Sequence, residues 1–426
     1  MTQPTERSNF LIWWICGLLL LASTINYMDR QTLSNTSDRI TREFELSEEQ
    51  FGTLELAFGL AFAVGATVFG LISDRASVKW LYPTVLLLWS GMGFATGLVE
   101  SYAGLLWCRM LLGFFEAGHW PCALKTTQRL LPSSKRTLGN SVLQSGTAIG
   151  AMVTPLIIKS MLTDQRGSWR PAFQIVGLIG IVWAVLWIIT IWGRDMESTA
   201  ADDAGSKLKS ATGDAPLDSS FLSVICSRKY LALVIVVLSI NLCWHQFRVW
   251  MQKFLIRGRG YDEFASLDIN FWFNVMTDVG CLSAGFATAF LFRRGLSAHW
   301  SRCLIFGLCS LMVVSGAAIP WLPKGPALIT VLMVVGLGSL GLFPCYYAFT
   351  QELSIIHQGK VAGTLGTIAW TTSLWHKYFG RWVDQTKSYD LGMSIVTILP
   401  LLSIVALILI WPRESSRPAS DAAVAD

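Results

Sequence analysis

Residues 172–192 read AFQIVGLIGIVWAVLWIITIW, a run that contains no Asp, Glu, Lys or Arg. A helix needs about 20 mostly apolar residues to cross the hydrocarbon core of a bilayer, and this run has that length and composition. A half-buried strand or a soluble amphipathic helix would interrupt it with polar residues every second position or along one face. Directly after it, residues 193–229 form a long polar stretch rich in Ala, Ser, Asp and Lys, without periodicity, which reads as a flexible linker.

Working outward from this boundary, eleven further runs of the same kind are bounded by charges, Pro or Gly. The twelve lie approximately over 10–34, 51–73, 81–99, 103–124, 138–163 and 172–192, then 230–256, 268–292, 302–322, 326–350, 361–381 and 391–411. The expected fold is therefore an all-α integral membrane protein with twelve transmembrane helices in two six-helix bundles. Residues 10–192 form the N-terminal bundle and 230–411 the C-terminal bundle, with tails at 1–9 and 412–426. Six spans on each side of a linker is the layout of carriers whose two halves rock about a central site. About 18 of the 33 Lys and Arg fall on the side of the two termini and about 12 on the other, which sets both termini and the linker in the cytoplasm.

Composition agrees. Hydrophobic residues make up 53% of the chain and charged residues 14%, too few charges for a soluble fold of 426 residues. With 19 Trp, 23 Phe and a net charge of +5, neither a disordered chain nor a nucleic-acid binder is expected. The nine Cys form no CxxC pair and the five His no i,i+4 pair, so neither a disulfide framework nor a metal site is expected. The spacing of a nucleophile with its base is also missing at membrane depth, which argues against an enzyme.

Charges inside the spans are costly and therefore informative. Span 1 holds Asp29 and Arg30 within Asn26-Tyr27-Met28-Asp29-Arg30. Span 4 holds Arg109 and Glu116 with Gly113 between them. Arg109 and Glu116 are seven residues apart and share a helix face, with Gly113 leaving room for a ligand or for helix 1. Read structurally, the four residues lock helices 1 and 4 together as ion pairs. Read functionally, the arginines offer planar forks for a carboxylate while Asp29 and Glu116 take up protons, and an anion that claims an arginine favours protonation of the acids. Proton and organic anion then bind with positive coupling, which is symport.

Other candidates leave two readings open. Arg248 in span 7 either contacts the anion or reaches to the membrane interface. His119 either relays a proton or packs as a bonded histidine. Asn274 on span 8 suits a substrate hydroxyl, one turn from Asp278. Trp375 and Trp250 could stack on a sugar ring. Glu55, near the end of span 2, reads as a wet edge residue. Gly146, Gly150 and Pro155 in span 5, and Gly336, Gly341 and Pro344 in span 10, allow close helix approach and bending.

The loop after span 2, Gly70-Leu-Ile-Ser-Asp74-Arg75-Ala-Ser-Val-Lys79, resembles the G-x-x-x-D-R/K signature of the major facilitator superfamily, in which Asp and Arg latch a cytoplasmic gate. Ser77 and Trp80 depart from that pattern. In the second half Arg293-Arg294-Gly295 is kept, with Ala289 and Phe290 at the acidic and basic positions. The Asn26–Arg30 and Gly113–Pro121 segments, with Gly167-Ser-Trp169-Arg170-Pro-Ala-Phe173, Phe343–Gln351 and Gly359–Gly366, resemble the anion:cation symporter family within it. Phe247-Arg248-Val-Trp250 is most similar to the hexuronate branch.

The resemblance implies that Arg30 meets the substrate carboxylate, that Asp29 and Glu116 carry protons, that Arg109 supports them and that Tyr27 lines the site. It also implies a latch at Gly70, Asp74 and Arg75. The expected protein is a secondary active transporter of the bacterial inner membrane. It would import a hexuronate such as glucuronate or galacturonate, or a related sugar acid, by proton symport with alternating access. It would be a monomer in the lipid bilayer, without a cofactor, with sodium as the other possible coupling ion. The competing expectations are an antiporter or exporter of organic phosphates or drugs with the same fold, and a transporter-like sensor.

Overall fold

The computed structural model describes residues 9–130, 133–192, 221–353 and 358–411, and among them there is no strand. The first half consists of α1 (Asn9–Asn35), a short α2 (Ser37–Glu43), α3 (Glu48–Arg75), α4 (Val78–Thr96), α5 (Tyr102–Glu116), α6 (His119–Leu130), α7 (Ser133–Met161) and α8 (Arg170–Ile191). The second consists of a short α9 (Phe221–Ile225), α10 (Arg228–Lys253), α11 (Glu263–Arg293), α12 (Ala298–Val314), α13 (Pro326–Leu353), α14 (Gln358–Thr371), α15 (Leu374–Thr386) and α16 (Asp390–Leu409). The tails and most of the expected linker lie outside the described residues.

Among the described residues, nine helices are long and apolar enough to cross a membrane by length and composition. The remaining three spans are α4, which contains Pro83, and two broken pairs, α5 with α6 and α14 with α15. Expected spans 4 and 11 are thus interrupted rather than continuous. In the first pair Pro121 has no N–H to give the Ala117 carbonyl, so the chain turns at Ala117–Gly118 before resuming. In the second, the turn falls at Thr372–Ser373.

Within the first half α1 packs on α7, α3 on α5 and α4 on α8; within the second, α10 packs on α16 and α13 on both α11 and α12. The outward faces carry exposed Leu178, Ile189, Leu282, Phe286 and Leu409, as expected of a lipid-facing surface. Buried Tyr82, Trp183 and Trp187 form the aromatic centre of the first half, with the two indoles stacked at 5.1 Å.

The halves meet through α3 against α14 and α15, α7 against α11, and α1 against α10. At the end of the bundle that carries α2 they are bonded. Arg257 reaches Asp38 at 2.6 Å and Glu48 at 2.8 Å, and Lys253 reaches Glu48 at 2.6 Å. Arg39 pairs with Glu263, Lys159 with Asp268 and Arg381 with Glu49. The Asn270 amide donates to Asn35 Oδ1. The Asp384 carboxylate accepts from the backbone N–H groups of Glu48 and Glu49 at 2.9 and 2.8 Å, so a residue of α15 caps the N-terminus of α3 in the other half. The acidic 38–50 segment is thus half of a seal whose basic partners come mainly from the second half.

Candidate functional site

Below this seal lies a buried cluster of ionisable residues. Glu55 is seven residues into α3, about 10 Å from its start, and is 1% exposed. Arg109 on α5 and Arg248 on α10 are buried beside it. Glu55 Oε1 accepts from Arg109 Nη2 at 2.9 Å, and Glu55 Oε2 accepts from Arg248 Nη2 at 2.9 Å. One carboxylate therefore joins two guanidiniums from different halves. Reading Glu55 as a wet edge residue is wrong, because the second half covers the first turns of α3. Arg248 faces inward rather than snorkelling.

Glu116 ends α5 at the break before α6, and its Oε1 accepts from Arg30 Nε at 2.8 Å. The Arg30 guanidinium is ringed by aromatic faces: Phe62 at 4.9 Å, Trp370 at 5.4 Å, and Tyr27 and Phe58 at 5.5 Å. Phe58 also lies 4.5 Å from the Arg109 guanidinium, which places it between two cations. Gly113 does not leave space for a ligand or for α1. A Cβ there would collide with the Phe58 carbonyl, so its absence lets α3 lie directly on α5.

Asp29 is 1% exposed, and neither of its carboxylate oxygens has a hydrogen-bond partner among the described residues. Its charged neighbours are Glu116, Arg109 and Arg30, and the Trp89 indole stands beside it. Arg30 Nη2, Arg109 Nε and Nη1, Arg248 Nη1 and Glu116 Oε2 are likewise buried without a bonded partner. Buried polar atoms are nearly always bonded, so this concentration of open donors and acceptors is available to water or to a polar ligand. Three guanidiniums and three carboxylates meet here, with donors left over for an anion.

The other expected site residues are placed differently. His119 lies in the core of the first half, sharing hydrogen bonds with Tyr82 Oη at 2.9 Å and Ser23 Oγ at 3.0 Å. Asn274 donates to the Asn270 carbonyl at 2.8 Å and to Asn270 Oδ1 at 3.1 Å, which ties it to the seal rather than to the arginines. Trp375 donates to Gln246 Oε1 at 2.7 Å and stacks on Phe379. Trp250 is fully buried and donates to His376 Nδ1. Gly70 is in α3, with open space where a Cβ would stand, while the side chains of Asp74 and Arg75 lie outside the described residues. Among the described residues no group of His, Cys, Asp or Glu is arranged to hold a metal ion.

Glu55 is misread from the sequence as an edge residue, and Phe58, Phe62 and Trp370 carry no expectation there. A signal for Glu55 was present, since it is an ionisable residue inside an apolar run. The aromatic residues were hidden among many alike.

Comparisons place this geometry in a family. The Major Facilitator Superfamily model matches residues 19–375. Among characterised relatives, the chain is 22% identical to the hexuronate transporter of Escherichia coli strain K12 over 97% of this chain and 96% of the relative. It is also 22% identical to the galacturonate transporter of Dickeya chrysanthemi, over 79% and 93%. Among solved structures it superposes on a bacterial homolog of the human lysosomal transporter Spinster, inward-facing and occupied, with TM-score 0.76, 15% identity and coverage of 95% and 97%. A D-xylose-proton symporter superposes with TM-score 0.71, 14% identity and coverage of 94% and 97%. The chain, with its twelve spans in two halves around a buried charge cluster, belongs to the major facilitator superfamily.

Proposed function

We propose that the protein imports a sugar acid, a hexuronate such as galacturonate or glucuronate, by proton symport with alternating access. The observation that carries this reading is the buried cluster in which, among the described residues, Arg30, Arg109 and Arg248 keep unbonded donors while Asp29 has no ion-pair partner. The free edge of the Arg30 guanidinium suits a carboxylate bidentately. A negative substrate brought next to ionised Asp29 and Glu116 is repelled unless one acid takes a proton, so anion and proton enter together. The names of the hexuronate and galacturonate transporters to which the chain is similar support a sugar acid as cargo.

In this reading the bonded seal at the α2 end is the closed gate of one access state. The seal breaks as the halves rock, while the cluster remains between them. Exchange of an organic phosphate would use the same arginines, but an acid with unbonded oxygens adds repulsion to a dianion and favours a proton-coupled monoanion. Uptake into proteoliposomes under an imposed pH gradient tests the proposal. Galacturonate or glucuronate should accumulate when the outside is acidic. Failure of both to enter or compete at any gradient would overturn the assignment of cargo.

A further inference from the structure

The charges of the cluster can be counted. Arg30, Arg109 and Arg248 contribute three positive charges; Glu55, Glu116 and Asp29 contribute three negative ones when all are ionised. His245 and His376 lie close by but are neutral by geometry, because each uses Nδ1 as an acceptor, from Arg248 Nε at 3.3 Å and from Trp250 Nε1 at 3.1 Å. Asp278 on α11 has no bond to the cluster among the described residues. Once one proton neutralises one acid, the protein's own groups therefore carry a single excess positive charge, which one bound carboxylate cancels.

We propose that Glu55 sets the charge of the cargo: by cancelling one of the three guanidiniums it leaves a site matched to a single carboxylate and closed to dicarboxylates. The inference rests on the sugar-acid reading and adds the residue that restricts the cargo to one carboxylate. Glu55 can do this because its two oxygens are committed to Arg109 and Arg248 and its side chain is enclosed, so it acts as a fixed internal anion. A second carboxylate on the substrate would have to share those arginines with Glu55 inside a region of low dielectric, where like charges repel strongly. Glu55 is a specificity residue acting through the arginines.

The test compares two ligands of similar carbon skeleton, galacturonate with one carboxylate and galactarate with two, by titration calorimetry on the full-length purified protein. The wild type should prefer galacturonate. Glu55→Gln should raise the galactarate-to-galacturonate affinity ratio by about tenfold or more. Because Glu55 also joins the halves, its loss changes the balance of access states, but that change affects both ligands alike and cancels in the ratio. Arg248→Gln, which removes one positive charge from the same cluster, should move the ratio the opposite way and decides the matter should Glu55→Gln not fold. Glu55→Gln/Arg248→Gln should return the ratio towards the wild-type value. A wild type that prefers galactarate, or an unchanged ratio in whichever single variant folds, overturns the role of Glu55. A wild type that binds neither ligand overturns the sugar-acid reading instead.

Discussion

Glu55 Oε2 and Arg248 Nη2 are 2.9 Å apart, and the two residues belong to different halves of the protein. The same carboxylate holds Arg109 of its own half at the same distance. Separating the halves at this level leaves Glu55 with Arg109 and strips Arg248 of its partner. A buried charge without a partner is costly, so in the proposed transport cycle this pair would couple the access state to what else can pair with Arg248.

Arg30 should be irreplaceable even by another cation. Arg30→Lys keeps the charge but loses the planar fork that bonds Glu116 on one edge and, in the proposed function, meets the substrate carboxylate on the other. The loss of a charge-assisted hydrogen bond, about 1.5–3 kcal/mol, corresponds to roughly a ten- to hundredfold weaker affinity for galacturonate. Calorimetric titration measures this directly, and affinity within twofold of wild type would remove Arg30 from the binding site.

Gly93 on α4 faces the unbonded acid: a Cβ built there stands 2.7 Å from Asp29 Oδ1. Gly93→Ala should displace Asp29 while leaving the arginines in place. Expected is galacturonate exchange close to wild type with accumulation against a gradient reduced several-fold. Vesicle assays of exchange and of gradient-driven uptake separate the two, and intact accumulation would mean that the position of Asp29 is immaterial.

The cap that Asp384 places on α3 should bias the closed seal. Asp384→Asn weakens one of two acceptor bonds and removes a negative charge from a helix N-terminus, together worth about 0.5–2 kcal/mol. A cysteine introduced at buried Thr41 in a background free of native cysteines reports the opening. Its alkylation rate should rise about two- to thirtyfold in Asp384→Asn. An unchanged rate would show that the cap does not hold the gate.

Glu43, outside the spans, gives a pH signature. Burial alone would push its carboxyl up, but hydrogen bonds from Arg170 and Trp169 prevail and hold it below the ordinary value of 4.5. Because the folded value is depressed, the unfolded chain binds the proton first as pH falls. The stabilisation is fully present above about pH 4.5 and is lost as pH drops through the folded value. Thermal unfolding in detergent followed by tryptophan fluorescence should show a steeper loss of Tm between pH 5 and about 3 for wild type than for Glu43→Gln. Parallel curves would refute this contribution.

The scarcity of charge made much of the site legible. Asp29, Arg30, Arg109 and Glu116 stood out because ionisable residues inside apolar runs are rare, and all four meet in the structure. Their pairing was not legible. Arg109 and Glu116 share a helix face, yet Arg109 bonds Glu55 and Glu116 bonds Arg30, because partners are chosen between helices and spacing along one helix says nothing of that. Helix lengths were recoverable from hydropathy, whereas the break after Glu116 needed Pro121 to be weighed against its missing bond to Ala117. The cap from Asp384 joins residues 336 and 335 positions apart, and no local pattern announces such a contact.

The proposed symport requires one cluster to bind a sugar acid and a proton together. Its most direct test is the number of protons taken up when galacturonate binds, obtained from calorimetric titration in buffers of different ionisation enthalpy. The wild type should take up protons on binding near neutral pH, and Asp29→Asn/Glu116→Gln should still bind galacturonate but take up none. Binding by the wild type without proton uptake, or unchanged uptake in the double variant, would rule out proton coupling through this cluster.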